Sequence, residues 1–343
     1  MSLWFASSSR GFGQTQPAEL DQVAPIRVGM IGLDTSHTVA FAKILREAKP
    51  EDGAVGRLKL VAAYPGGSQD IPSSANRVEG FTREIRESGV AILDSIDELV
   101  GQVDAVLLTS VDGRKHLEQA IPVFRAGKPC FIDKPFAADL ADAIAIHRAS
   151  EQFHARWFTS SSLRFTPTIW RYRENTSRKI VGAQAWSPCS LDPHHNDLAW
   201  YGIHGIEALY TAMGTGCRSV ARSASDGSDV AIGVWGDGRH GVFRGIRNGH
   251  SGYGMTVFGA DFIESDAKYD GYEPLVVRFA EFFAGANHPV SNEESLEIMA
   301  FIEAAQVSRQ RGGAPVTLEE VLAAAQPEAE KRLERLLNPS EFR

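Results

Sequence analysis

Apolar residues along the chain fall into two textures. From Ile26 to about Ser150, short apolar runs alternate with helical ones. "IRVGMIG" (26–32) reads as a buried strand, and "TVAFAKILREA" (38–48) carries its apolar residues at helical spacing. "LKLVAAY" (58–64) is a second strand, closed by the turn-forming "PGGS" (65–68). "IDELVGQ" is a short helix, "VDAVLLTS" a third strand, "HLEQAIPVFRAG" a helix ended by Gly127, "PCFIDKP" a fourth strand and "DLADAIAIHRASEQ" a further helix. Strands that are apolar throughout and alternate with helices predict a parallel sheet covered on both faces, a doubly wound α/β architecture.

Beyond about Phe153, β-rich segments are joined by Gly and Asp turns: "KIVGAQAWSP", "SDVAIGVWGDGRHGVFRGIRNG" and "YGMTVFGADFIESD". "GDG" sits like a hairpin turn between Trp235 and Arg239. One helix interrupts them, "WYGIHGIEALYTAMGTG", with Gly214 as its C-cap, and "SNEESLEIMAFIEAAQVSRQRGG" predicts a long helix capped by Ser291 or Asn292. The expected organisation is an arm over 1–25, a parallel α/β domain over 26–152 and an α+β domain with a large, mainly antiparallel open sheet over 153–318. The helix at about 291–312 packs back on the first domain, and 319–343 forms a helical tail. An active site is expected in the crevice between the two halves, at the carboxyl ends of the parallel strands.

Composition narrows the function. The 343 residues are 43% apolar and 23% charged, ordinary for a globular chain, and the net charge of -8 argues against a nucleic-acid binder, which needs a basic face. Three scattered cysteines, Cys130, Cys189 and Cys217, point to neither a disulfide framework nor a zinc motif, so a reducing cytoplasm is expected. No run of 18 apolar residues is present, and no membrane partner is expected. Met1 to Pro25, rich in Ser, Gly and Gln, reads as a flexible arm without the basic start and apolar core of a secretory signal.

Several segments, in order, resemble the Gfo/Idh/MocA oxidoreductases (glucose-fructose oxidoreductase, inositol dehydrogenase and relatives): "RVGMIG", "VDAVLLTSVDGRKHLEQAIPVFRAGKPCFIDKP", "GIHGIEAL", "FGADF" and "EAAQVSRQRGGAPVTL". The resemblance covers about Arg27 to Leu318, and "AGKPCFIDKP" is its most specific part. It implies a Rossmann domain followed by an open-sheet domain, a homodimer or homotetramer paired through that sheet, and NAD or NADP oxidising a sugar or polyol. The family's Glu-Lys-Pro corresponds to Asp133, Lys134 and Pro135. Its catalytic histidine corresponds to His204, with Trp200 where an aspartate is usual. The resemblance assigns cofactor binding to Gly32, Asp34, Thr35, Ser36, His37, Tyr64, Thr109, Ser110, His116, Asp133 and Lys134.

The residues themselves suit those roles. Lys134, at the crevice end of a strand, can donate to a substrate hydroxyl as an alkoxide develops. His204 can accept a proton near neutral pH, and Glu207, one helical turn on, is the neighbour on its face. "DPHHNDLAW" collects His194, His195 and Asp197 ahead of that helix. Adjacent histidines project to opposite sides of an extended chain, so substrate-hydroxyl binding or plain loop polarity is favoured and no metal is expected. Tyr201, Arg164 and Trp170 offer aromatic faces and donors for a sugar. The Pro65–Ser68 turn offers amides and a hydroxyl to a ribose phosphate, a pointer to NADP.

The phosphate loop departs from GxGxxG. Gly32 is the first glycine, but Asp34 and His37 replace the second and third, and the end of the second strand offers Tyr64 and Pro65 rather than a carboxylate. At about 5 Å and an effective dielectric of about 20, Asp34 would repel a phosphate charge by about 3 kcal/mol. Alternatively Asp34, an N-cap residue type, caps the helix amides in place of a phosphate. An NAD(P)-dependent oxidoreductase is the leading expectation. A cofactor-free binding or regulatory protein on the same fold, and a redox-assisted glycosidase or lyase, are the alternatives.

Overall fold

The computed structural model describes residues 24–266, 268–338 and 340. The expected flexible arm, apart from its last two residues, lies outside them. The first half runs β1 (Ile26–Ile31), α1 (Ser36–Glu47), α2 (Ala54–Arg57), β2 (Leu58–Tyr64), α3 (Pro72–Ala75), α4 (Val78–Glu87), β3 (Ala91–Ile92), α5 (Ile96–Val100), β4 (Ala105–Leu108), α6 (Gly113–Arg125), β5 (Cys130–Ile132), α7 (Leu140–Gln152) and β6 (Trp157–Thr159). The six strands form one parallel sheet in the order β3-β2-β1-β4-β5-β6. Both faces are covered, which is why β4 and β5 are buried at every residue and read as unbroken apolar runs. Strand order reverses between β1 and β4, so the crevice of a doubly wound sheet opens above their carboxyl ends.

The second half runs α8 (Pro167–Glu174), β7 (Ile180–Pro188), α9 (Asp197–Trp200), α10 (Ile203–Met213), β8 (Cys217–Ala224), β9 (Ser228–Trp235), β10 (His240–Ile246), β11 (Gly254–Gly259), β12 (Ile263–Asp266), α11 (Glu273–Phe283), α12 (Asn292–Gln310), β13 (Val316–Thr317) and α13 (Leu318–Leu337). Its seven strands order as β12-β11-β7-β10-β9-β8-β13, antiparallel throughout except for the parallel pair β7 and β10. Alternation sets the inner face: Ala183, Ala185, Ala231, Phe243 and Val257 are buried, and α10, buried along its whole length, packs on β7 and β10. The "GDG" turn closes the β9–β10 hairpin, with Gly238 at φ +87°.

α12 packs on β8 and also on α7, and α13 packs on α7, so these two helices join the sheets. Ser291 caps α12, its Oγ accepting from Glu294 N at 3.1 Å. The single helix expected across 200–216 is instead two, α9 and α10, broken at Tyr201 and Gly202. This break turns His204 toward the crevice at the start of α10.

Candidate active site

A cavity of about 290 Å³ lies at the carboxyl ends of the parallel strands. One wall is the first turn of α1, with Thr35, Ser36 and His37; Ser73 of α3 and Arg77 flank it. Lys134 forms the floor beyond β5. The second half supplies Trp200, Tyr201 and His204, and Tyr253, Tyr269 and Tyr272 close the far side.

The phosphate loop resolves the position of Asp34. Its carboxylate is fully buried outside the cavity lining, where it accepts from Ser74 Oγ at 2.6 Å and Val111 N at 2.9 Å. It therefore ties the β1–α1 loop to α3 and to the loop after β4. Burial holds this carboxyl above the usual carboxylate range. Neither sequence-based reading of Asp34 applies: the helix cap is Thr35, whose Oγ1 faces His37 N at 3.5 Å, and no charge is aimed at the cavity. Gly32, at φ +87°, lies so close to the next strand's loop that a Cβ would fall 2.3 Å from Ser110 N. Only glycine fits there.

His37 does not simply crowd the loop as a bulky third glycine. Its ring crosses to the end of β5, where Nδ1 lies 2.5 Å from Asp133 Oδ2, and it packs edge-on to Tyr272 with ring centroids 4.8 Å apart. Burial pushes the Asp133 carboxyl up, but His37 and Lys134 more than offset this and hold it below the usual range. Asp133 is thus an anion that accepts the proton on His37 Nδ1, and in the neutral ring this contact places the lone pair on Nε2. Nε2 has no hydrogen-bond partner among the described residues, and the ring lines the cavity.

Lys134 is 8% exposed and its ammonium enters no salt bridge among the described residues. It does not pair with Asp133, which instead accepts from the Lys134 backbone N at 2.8 Å. Its Nζ lies over the Tyr201 ring, 5.8 Å from the centroid. The Lys134–Pro135 peptide is cis.

His204 Nδ1 lies 2.7 Å from Ser161 Oγ, which also accepts from Leu163 N at 3.1 Å. Ser161 is fully buried, and its single proton has no other acceptor among the described residues, so it is donated to Nδ1. The tautomer that follows carries its proton on Nε2, at the cavity. Burial, with Lys134 and His37 nearby, pushes this imidazole well below its ordinary value, so it stays neutral. Glu207 does not orient the ring directly, as its helical spacing suggested; it accepts from Ser161 N at 2.8 Å and so steadies His204 through Ser161.

Other expected site residues lie elsewhere, each for a visible reason. Arg164 is buried between Glu207 (2.9 Å) and Glu294 (2.6 Å), so it is not available to a sugar. His195 accepts from Gly113 N at 3.0 Å and pairs with Asp192 at 2.8 Å; Asp197 is held by Arg222 and Arg309. His194 pairs with Asp192 and Asp70, away from the cavity lining. His116 is buried between the carbonyls of Ser110 and Phe136, and Thr109 donates to Gly32 O, so both build the loops rather than reach a ligand. Ser110 donates to Gln119, and Tyr64 lies outside the lining. Trp170 donates to Glu174. Ser68 is buried against Asp112 at 2.6 Å, so its hydroxyl is not presented to a phosphate. Among the described residues, no group of three His, Cys, Asp or Glu side chains could hold a metal.

Residues 26–160 match a family model described as an oxidoreductase family with an NAD-binding Rossmann fold. Over these residues the chain is similar to the Gfo/Idh/MocA family. A 68-residue stretch is 40% identical to inositol 2-dehydrogenase of Cereibacter sphaeroides, spanning only 20% of this chain and 20% of that enzyme. Likeness to solved structures extends over both halves. An NAD binding oxidoreductase from Klebsiella pneumoniae matches with a TM-score of 0.71 at 16% identity, covering 86% of this chain and 99% of that one. Scyllo-inositol dehydrogenase from Lactobacillus casei, solved with NAD(H) and scyllo-inositol, gives 0.65 at 15% identity, again over 86% and 99%. At these identities the likeness shows a shared fold.

The residues present fit a nicotinamide cofactor at its phosphate and nicotinamide end. Ser36 at the amino end of α1 and Arg77 line the cavity with Lys134, and the carboxylate of Asp34 is turned away from it.

Proposed function

We propose that the chain is an NAD(P)-dependent oxidoreductase acting on a sugar-like or polyol alcohol. The observation that carries this reading is the meeting of Lys134, His204 and the amino end of α1 in one cavity at the switch point of a Rossmann sheet. Ser36, at the amino end of α1, and Arg77 would hold the diphosphate. When bound, the nicotinamide supplies the hydride acceptor.

The chain's own groups handle the oxygen. The Lys134 ammonium and the His204 Nε2–H both donate into the cavity, and two such donors on one hydroxyl oxygen stabilise the charge that builds there as the C–H bond breaks. Four tyrosines, Tyr201, Tyr253, Tyr269 and Tyr272, give a ring of aromatic faces and hydroxyls suited to a polyhydroxylated ring. Inositols are the first substrates to try, because inositol dehydrogenases are among the relatives. Fluorescence titration with NADH and NADPH, followed by turnover on inositols, sugars and uronic acids, tests the reading. Absence of binding by either nucleotide refutes it.

The outer face of the second sheet supports the further reading of a homodimer or homotetramer. Ile232 and Val181 are 40% and 45% exposed there, and Val230, Val234 and Val242 are only half-buried. No helix among the described residues is long and apolar enough to cross a membrane. The three cysteines are free and buried, in keeping with a cytoplasmic setting.

A further inference from the structure

Resting on that functional reading, we propose that the proton acceptor of the reaction is His37, held by Asp133, and that His204 is a hydrogen-bond donor to the same substrate oxygen. Two imidazoles face one cavity, and their partners give them opposite tautomers. The neutral His37 ring donates through Nδ1 to a buried carboxylate at 2.5 Å and so presents its lone pair at Nε2. His204 receives a proton from Ser161 at Nδ1 and keeps its own at Nε2. A base must present a lone pair to the proton that it removes, and of the two imidazoles at the cavity only His37 does so. A carboxylate behind the imidazole also stabilises the imidazolium that forms, as in other carboxylate–histidine pairs. Trp200 stands where a carboxylate could have served His204, and stacks on His195 instead, with centroids 4.8 Å apart.

The step balances. The substrate O–H bond breaks as an N–H bond forms at His37 Nε2. The O–H electron pair becomes the second C–O bond, and the C–H pair leaves as hydride to the oxidised nicotinamide. The groups facing His37 are Asp133 and Lys134 beyond β5, His204 of α10 and Tyr272 at the start of α11.

Nitrogen-15 NMR of the full chain, labelled at histidine, reads the tautomers without substrate or cofactor. The expected result is a His37 Nδ1–H and a His204 Nε2–H, with no proton on His204 Nδ1. The reverse assignment overturns the proposal. In kinetics with NAD and inositols, His37→Asn keeps a donor toward Asp133 but no base. It is expected to lower kcat/KM by about 10²–10⁴-fold and to abolish the acid limb of the pH profile. His204→Gln is expected to lower kcat/KM and retain the limb; loss of the limb in His204→Gln and its survival in His37→Asn would overturn the role. Failure of NADH to bind removes the reaction itself while leaving the tautomers intact.

Discussion

His37 Nδ1 and Asp133 Oδ2 lie 2.5 Å apart, joining the first turn of α1 to the end of β5 across 96 residues of chain. The contact fills the space where a third glycine would let the helix approach the sheet, and replaces close backbone packing with a buried charge-assisted hydrogen bond. It also has a signature in stability. The folded Asp133 carboxyl lies below its usual value, so its contribution is present above the unfolded value of about 3.9 and is lost as pH falls through the folded one. Urea unfolding from pH 3 to 7 is expected to show stability falling on the acid side, with a smaller fall in His37→Asn. An equal fall in both proteins would contradict the pairing.

Asp34 carries the opposite sign. Its folded carboxyl lies above the usual value, so its stabilising effect is full below the unfolded value and is lost as pH rises through the folded one. Asp34→Asn is therefore expected to match or exceed wild-type stability near pH 8, by up to about 1 kcal/mol. Asp34→Gly, which restores the second glycine of the usual loop, leaves Val111 N and Ser74 without their partner and is expected to cost about 1–3 kcal/mol. Because the carboxylate does not face the cavity, NADH affinity is expected to gain nothing in Asp34→Gly; a tenfold gain would show that Asp34 opposes the cofactor after all.

Arg164 separates support from substrate binding. Arg164→Met leaves Glu207 and Glu294 facing a buried apolar group, and breaking such pairs typically costs about 3–5 kcal/mol. The melting temperature is expected to drop by several degrees or more. If the variant melts like the wild type and instead raises KM for a polyol, Arg164 touches substrate and its placement here is wrong.

Lys134→Met keeps the length of the side chain and removes its donor. Turnover of an inositol substrate is expected to fall by about 10²–10³-fold, the usual loss for one donor to a developing oxyanion. Thermal stability is expected to hold, since the ammonium enters no salt bridge among the described residues. Unchanged kcat/KM would remove Lys134 from the reaction.

Much of this fold is readable from apolar spacing because the strands of the parallel sheet are buried on both faces. β6 and the helices α4 and α11 are harder to read. β6 is three residues long, and "VEGFTREIRE" carries Val78, Phe81 and Ile85 at helical spacing on an otherwise charged segment. α11 begins with a proline at its first turn, a helix-start signal in "EPLVVRFAEFF". In the site, Lys134 and His204 are legible from local motifs. The partners that set proton positions are not: Asp133 reaches His37 over 96 residues, and Ser161 reaches His204 over 43. Tyr253, Tyr269 and Tyr272 join the cavity only through the path of the second half. Arg164 looks like a sugar ligand in sequence because nothing local reveals that Glu207 and Glu294 converge on it.

The most direct test is equilibrium titration of the purified full chain with NADH and NADPH, followed by nucleotide fluorescence and repeated on Lys134→Met. Saturable binding of at least one nucleotide by both proteins, with turnover of a polyol by the wild type alone, is the expected result. No binding of either nucleotide by the wild type would contradict an oxidoreductase at this cavity.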